Sequence, residues 1–176
     1  MIRLDWPGVN DDETASHQGR SARRSLVNGN DESASLARVE LFAQRFYARY
    51  AEAVDSADEK ALRSLLAADV ELTRAGRTDR GIEAFLDVYR THWAQGIGLC
   101  QHQVTNVSVE RDLDGVRATA YFRALFFEEA RTRLIVGRYV DDLVESGDEP
   151  HAGLVVTHKR NVVQRIVTLP TADVIE

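Results

Sequence analysis

An imidazole titrates near neutral pH, so it can take a proton and return it within one catalytic cycle. His102 stands in the run QHQVTNVSVE, at the opening of a β-branched stretch, where strand alternation directs it inward together with Val104 and Asn106. A lone histidine on a strand is also often a satisfied polar residue, and both readings stand at this point. Asp55 follows the apolar stripe of a helix, at a C-terminal end whose dipole disfavours a carboxylate, so it needs a local partner. One such partner is the backbone at the start of the next helix, which an aspartate beside Ser56 can cap. Tyr47, Tyr50, Tyr121 and Tyr139 carry phenols able to polarise a substrate carbonyl from inside a cavity. The amide of Asn106 can do the same, and all five side chains can equally be core residues with a bonded polar tip. Tyr50, Tyr139, Asn106, Trp93 and Tyr121 are the candidates for binding substrate. Arg138 beside Asp141, and Arg74, are candidates for an arginine held between aspartates that activates water, against the plainer reading of strand-surface ion pairs.

These side chains need elements to hold them. Leu36, Val39, Phe42, Phe46, Tyr47, Tyr50 and Val54 recur at three- and four-residue spacing, which predicts a long amphipathic helix over 36–54. Ser56 and Glu59 have capping-box spacing and predict a second, short helix to about Ala67. Asp69 to Arg74 reads as a strand, Gly76 to Asp79 as a turn, and Arg80 to Trp93 as a third helix with Ile82, Phe85, Leu86, Tyr89 and Trp93 on one stripe. β-Branched runs then follow over 101–110, 115–127, 132–144, 153–160 and 162–169, with turns expected at Asp112–Gly115, Glu128–Arg131, Ser146–Gly153 and near Asn161. Residues 1–34 are rich in Ser, Asn, Asp, Gly and Arg, with only Leu4, Trp6, Val9, Leu26 and Val27 as anchors. They read as an arm, flexible or packed on a partner, before a domain over 35–170 and a tail over 171–176. The expected fold is one α+β domain of three helices on a strongly curved, mixed or antiparallel sheet enclosing a cone-shaped pocket.

Composition narrows the partners. The 22 basic and 28 acidic residues give a net charge of -6, which repels nucleic-acid phosphates and anionic membranes. No apolar run approaches the roughly 20 residues that span a bilayer, and the N-terminus has acids where a signal peptide needs basic and apolar residues. The single cysteine, Cys100, cannot form an internal disulfide and reads as a small buried apolar residue, so the expected location is the cytoplasm. His92, His151 and His158 lack the helical spacing of a zinc site, and no phosphate loop or nucleotide fingerprint is present, so neither metal nor cofactor is expected.

The passages FYARYAEAVDSADEKALRSLLAADVEL, GIEAF, QHQVTNVSVE, GRYVDDLVE and GLVVTHKRNVV, in this order over residues 36–169, resemble the nuclear transport factor 2-like superfamily, and within it the SnoaL-like group of polyketide cyclases and scytalone dehydratase. In that group an aspartate recurs in the turn after the first helix, with a second acid opening helix two; here these are Asp55 and Asp58. The resemblance implies that His102 lies across the pocket from Asp55 and that the two are the catalytic pair. It further implies a cofactor-independent lyase or isomerase, of dehydratase or cyclase type, acting on a small apolar substrate, with secondary metabolism as one setting for it. The sequence departs from the group where Leu154 replaces a tryptophan, where Val54 replaces a tyrosine, and where Phe126 or Phe127 falls near a second histidine, so scytalone itself is not the expected substrate. The superfamily also implies a non-catalytic alternative, a subunit like the β subunit of ring-hydroxylating dioxygenases, and an epoxide hydrolase built on Arg138 or Arg74. It implies pairing into a homodimer or other homo-oligomer, with the alternation Val116, Ala118, Ala120, Phe122, Ala124 and Phe126 supplying either the paired face or the core.

Overall fold

The computed structural model describes residues 22–96, 99–112, 115–129, 131–147 and 153–170. The anchors Leu4, Trp6 and Val9, the tail 171–176 and His151 lie outside these residues. The chain divides after Ser33 into two compact units, and the second, from Ala34 onward, contains the whole sheet and every candidate site residue. Helix α1 spans Ala22–Asp55, beginning well before the expected Leu36 and so within the segment read as an arm. Its stripe from Val39 through Ala43, Phe46, Tyr47, Tyr50 and Ala53 to Val54 is buried, while Leu36 remains 39% exposed. Apolar residues three and four apart share one helix face, and burying that face is what holds a helix of this composition in place.

The chain reverses at Ala57, which has a φ of 55°. The Ser56 hydroxyl donates to the Glu52 carbonyl at 2.7 Å, so it stays with α1 and does not cap the next helix. Asp58 does that, accepting from the Ala61 N–H at 2.9 Å, and α2 covers only Glu59–Arg63. Its expected continuation to Ala67 is lost because the chain enters strand β1, Leu66–Arg74, with Leu65 and Leu66 buried. The expected turn at 76–79 is tighter. Ala75 and Gly76 both have positive φ, the conformation of a two-residue hairpin, and β2, Arg77–Arg80, pairs straight back onto β1. Helix α3, Ile82–Trp93, buries Phe85, Leu86 and Tyr89.

The remaining strands are β3, Leu99–Asp112; β4, Gly115–Phe127; β5, Arg131–Ser146; and β6, Gly153–Pro170. The six form one curled, unclosed sheet in the order β2-β1-β6-β5-β4-β3, antiparallel except for β1 beside β6. The turn expected near Asn161 is absent. Strand β6 runs through it, pairing with β5 on both sides, and the bend is absorbed as a register shift between Val136 and Gly137. Gly137 is needed there, because a Cβ would lie 2.5 Å from the Val162 carbonyl oxygen and 2.7 Å from the Phe122 ring. That close approach lets Phe122 stack on Tyr139, with centroids 4.4 Å apart. The alternation from Val116 to Phe126 is buried throughout and belongs to the core, not to an outer face.

One ion pair lies wholly inside. Lys159 and Asp141 are both 0% exposed, with Nζ to Oδ2 at 3.0 Å. The same carboxylate accepts from the Tyr47 hydroxyl at 3.0 Å and from the Arg160 N–H at 2.9 Å. The ammonium sits 3.4 Å from the Tyr139 ring centroid and 4.2 Å from that of Tyr50, a cation–π cage. Burial pushes the Lys159 pKa down, and Asp141 opposes that shift. Breaking one side of a buried pair strands the other charge. Lys159→Met should therefore lower stability by about 3–5 kcal/mol in urea unfolding, and adding Asp141→Leu should recover part of the loss.

Candidate active site

Asp55 ends α1, and both oxygens of its carboxylate are engaged by His102 of β3. Oδ1 lies 2.6 Å from His102 Nδ1, and Oδ2 accepts from the His102 N–H at 2.7 Å. This settles the open reading of Asp55 as a cap, since α2 is capped by Asp58. Partial burial works to raise the Asp55 pKa, but the hydrogen bonds from the His102 ring and amide, with the charge of His102, outweigh it and hold the carboxyl below the usual range. With Nδ1 held by Asp55, Nε2 is the ring nitrogen left to exchange a proton. The ring is only 12% exposed and meets Phe126 edge-on at 6.0 Å.

His102 is in the wall of a cavity of about 660 Å³, shared with Tyr50, Tyr89, Tyr139, Phe122, Phe126 and His92. Burial raises the pKa values of Tyr50 and Tyr139 well above normal, and carries that of Tyr89 to about 12. These phenols stay protonated and can donate. The Tyr50 and Tyr89 hydroxyls are in direct contact. His92 stacks edge-on against Phe126 at 5.0 Å, and burial, with the charges of His102 and Arg133, pushes its pKa down.

Other candidates are not brought to this cavity. Trp93 donates its Nε1–H to the Val54 carbonyl at 2.9 Å and so ties the end of α3 to the end of α1. Tyr121 is 49% exposed, because its strand neighbours Ala120 and Phe122 take the inward face. Asn106 is exposed, at a φ of 53° in an irregularity between Thr105 and Ser108 that breaks the alternation counted from His102. It lines instead a second groove of about 560 Å³ between α1 and β3, onto which Asp55 and His102 also open. Arg138 is exposed. Arg74 reaches Asp79 at 3.6 Å, and Arg77 holds the same carboxylate at 2.5 Å, so two guanidiniums share one acid, the reverse of an arginine between two aspartates. His158 is engaged by Thr73 and Arg160, at 2.8 Å each.

Asp55, Cys100 and His102 place an oxygen, a sulfur and a nitrogen within 4.8 Å of one another, a set whose atom types suit zinc. Two ligands of a tetrahedral ion with bonds of about 2.0–2.1 Å lie roughly 3.3 Å apart, whereas Asp55 and His102 are at hydrogen-bond separation. Burial and the Asp55 charge push the Cys100 thiol up to about 12, away from the thiolate a metal requires. The geometry is that of a proton-sharing pair. Tyr89, Asp79, Asn161 and His92 went unrecognised as wall residues. Tyr89 alone gave a signal, as a polar tip within the apolar stripe of α3.

A curled mixed sheet with helices packed on it is the α+β architecture of nuclear transport factor 2-like proteins. The family model of the SnoaL-like domain matches residues 36–151, and the chain belongs to this family. No curated protein sequence matches the chain. Among solved structures, a putative scytalone dehydratase from Novosphingobium aromaticivorans is similar, with 13% identity over 78% of this chain and 90% of that one at a TM-score of 0.66. A hexachlorocyclohexane dehydrochlorinase of LinA type 3 from Novosphingobium barchaimii has 21% identity over 83% and 96%, at 0.63. The β subunit of a putative aromatic-ring-hydroxylating dioxygenase from N. aromaticivorans has 16% identity over 76% and 92%, at 0.59. Among the described residues no helix is long and apolar enough to cross a membrane.

The depressed Asp55 pKa makes a signed prediction. A carboxyl whose pKa is lower folded than unfolded adds stability above the unfolded value, about 3.9 for aspartate, and loses it as pH falls through the folded value. His102→Ala removes the ring bond and charge, so carboxyl carbon NMR should show Asp55 titrating higher in that variant. Acid unfolding between these two values should be correspondingly less steep.

Proposed function

We propose that the protein is a cofactor-independent lyase or isomerase, of dehydratase or cyclase type, with His102 as general base and acid. The observation that carries the reading is the doubly bonded Asp55–His102 pair beside an open cavity. Asp55 fixes the tautomer and ring plane and stabilises the imidazolium that forms. Nε2 takes a proton from a carbon next to a carbonyl. The electron pair moves into a new double bond as hydroxide leaves, and the same nitrogen returns the proton to that oxygen, releasing water. Tyr50, Tyr89 and Tyr139 supply neutral donors for a developing enolate.

A putative dehydratase and dehydrochlorinases among the similar structures support an elimination. The β-subunit likeness supports only the fold, and the open cavity favours catalysis over an assembly role. An epoxide hydrolase loses support from the single acid shared by Arg74 and Arg77. A panel of cyclic β-hydroxy ketones, followed by the ultraviolet absorbance of the enone formed, tests the proposal. Turnover should fall by about 10²–10⁴-fold in His102→Ala. Turnover indifferent to that change, or none on any member, would count against it.

The active form is proposed to be a homodimer. Tyr121 and Val162 are aligned through Arg138, and Phe127 and Leu169 through Thr132, leaving exposed apolar side chains of β4 and β6 in register on either side of β5. Such patches mark protein contacts more often than they decorate a monomer. Light scattering at micromolar concentration should give twice the chain mass of 19.7 kDa, falling toward the monomer in Tyr121→Asp.

A further inference from the structure

Buried polar atoms are almost always hydrogen-bonded, so those that are not call for a partner. Among the described residues, the buried side-chain atoms without a hydrogen-bond partner are Arg74 Nε, Asp79 Oδ2 and Asn161 Oδ1. They come from three different strands, β1, β2 and β6, yet all three residues line the same cavity of about 660 Å³ that His102 lines. Register explains the meeting: Arg74 pairs with Arg77 on one side and with Asn161 on the other, and Asp79 lies two residues along β2. Asp79 is only 7% exposed. Its Oδ1 is taken by Arg77 at 2.9 and 2.5 Å, while Oδ2 has only Arg74 Nη2 at 3.6 Å, an ion-pair contact too long for a hydrogen bond. The Asn161 side chain bonds the Tyr89 oxygen, leaving its own carbonyl oxygen open.

This set is one donor and two acceptors. A carboxylate offers acceptors only, so it would satisfy Arg74 while facing the oxygens of Asp79 and Asn161. A hydrocarbon would satisfy nothing. A neutral hydroxyl donates to one of the oxygens and accepts from the Arg74 N–H at the same time. We infer that Arg74, Asp79 and Asn161 form a specificity subsite for an uncharged hydroxyl group on an otherwise apolar substrate. The subsite belongs to β1, β2 and β6, whereas His102 is on β3, the opposite edge strand of the sheet. The hydroxyl recognised here is thus met by strands other than the one that carries His102. The inference rests on the proposed use of this cavity for substrate, but not on the acid–base role of His102.

Three ligands of one shape test it: naphthalene, 2-naphthol and 2-naphthoate, with dissociation constants measured by NMR shift titration at pH 7. The wild-type protein should bind 2-naphthol at least about tenfold more tightly than either of the others, the scale of one well-made buried hydrogen bond to a charged group. Asp79→Asn leaves Arg74 and Arg77 uncompensated and should bring 2-naphthoate above 2-naphthol. His102→Ala should leave the wild-type order intact, so a failed acid–base mechanism and a failed subsite give different results. Equal binding of 2-naphthol and naphthalene, tightest binding of 2-naphthoate by the wild type, an unchanged order in a folded Asp79→Asn, or no binding of any of the three overturns the inference. Should Asp79→Asn not fold, the wild-type series decides alone.

Discussion

Asp141 has no contact with solvent, so its charge must be answered entirely by protein, and the answer comes from three groups on two elements: the Tyr47 hydroxyl of α1, and the Lys159 ammonium and Arg160 amide of β6. Meeting this requirement fixes α1 against the sheet at Tyr47. The helix is rigid from there to its end, and Asp55 is eight residues, or about two turns, further along. Its carboxylate thus reaches β3 with little freedom left. The Lys159 ammonium in turn fixes the rings of Tyr50 and Tyr139, two of the cavity wall residues, by lying against their faces. A buried ion pair is a weak source of net stability. Here its consequence is geometric, since one carboxylate sets the positions of the helix, two tyrosines and, through the helix, the acid that holds the histidine.

The cavity wall mixes polar and apolar groups. His102 on β3, held by Asp55 at the end of α1, can move a proton, while on β1, β2 and β6 atoms of Arg74, Asp79 and Asn161 without a hydrogen-bond partner can hold a polar group still. Phe122, Phe126 and the protonated tyrosines line the same cavity. The tyrosines donate hydrogen bonds without bringing charge, because burial keeps them neutral far above physiological pH. Such a cavity favours a compact, largely apolar molecule with a few fixed polar points, and it suits acid–base chemistry on carbon, where developing charge on oxygen is met by neutral donors.

Local pattern made much of the fold legible. The stripe of α1 from Val39 to Val54, the stripe of α3 and the runs of β3 to β5 are periodicities that burial of one face enforces, and the order of helices and strands follows from them. Asp55 and His102 were legible as chemistry-bearing residues by type and position, and the family pattern joined them. Errors came where a single residue shifted a local rule. Ser56 bonded back to α1 and left capping to Asp58, the Ala75–Gly76 turn released Arg77–Arg80 to form a strand, and Asn161, opposite Tyr139, sat in a continuous strand because the register shift beside Gly137 absorbed the bend.

The sequence by itself determined the element types, the inward stripes and the presence of an acid after helix one and a histidine at the start of a strand, since each depends on spacing within a few residues. Tertiary structure alone decided which polar groups meet. Asp55 and His102 are 47 residues apart and Tyr47 and Asp141 are 94 apart, and no local pattern encodes such distances. The irregularity at Asn106 turned that amide out of the cavity, and strand order brought Arg74, Asp79 and Asn161 together. Register across the sheet, set by burial of whole faces and by the needs of one buried carboxylate, made those choices.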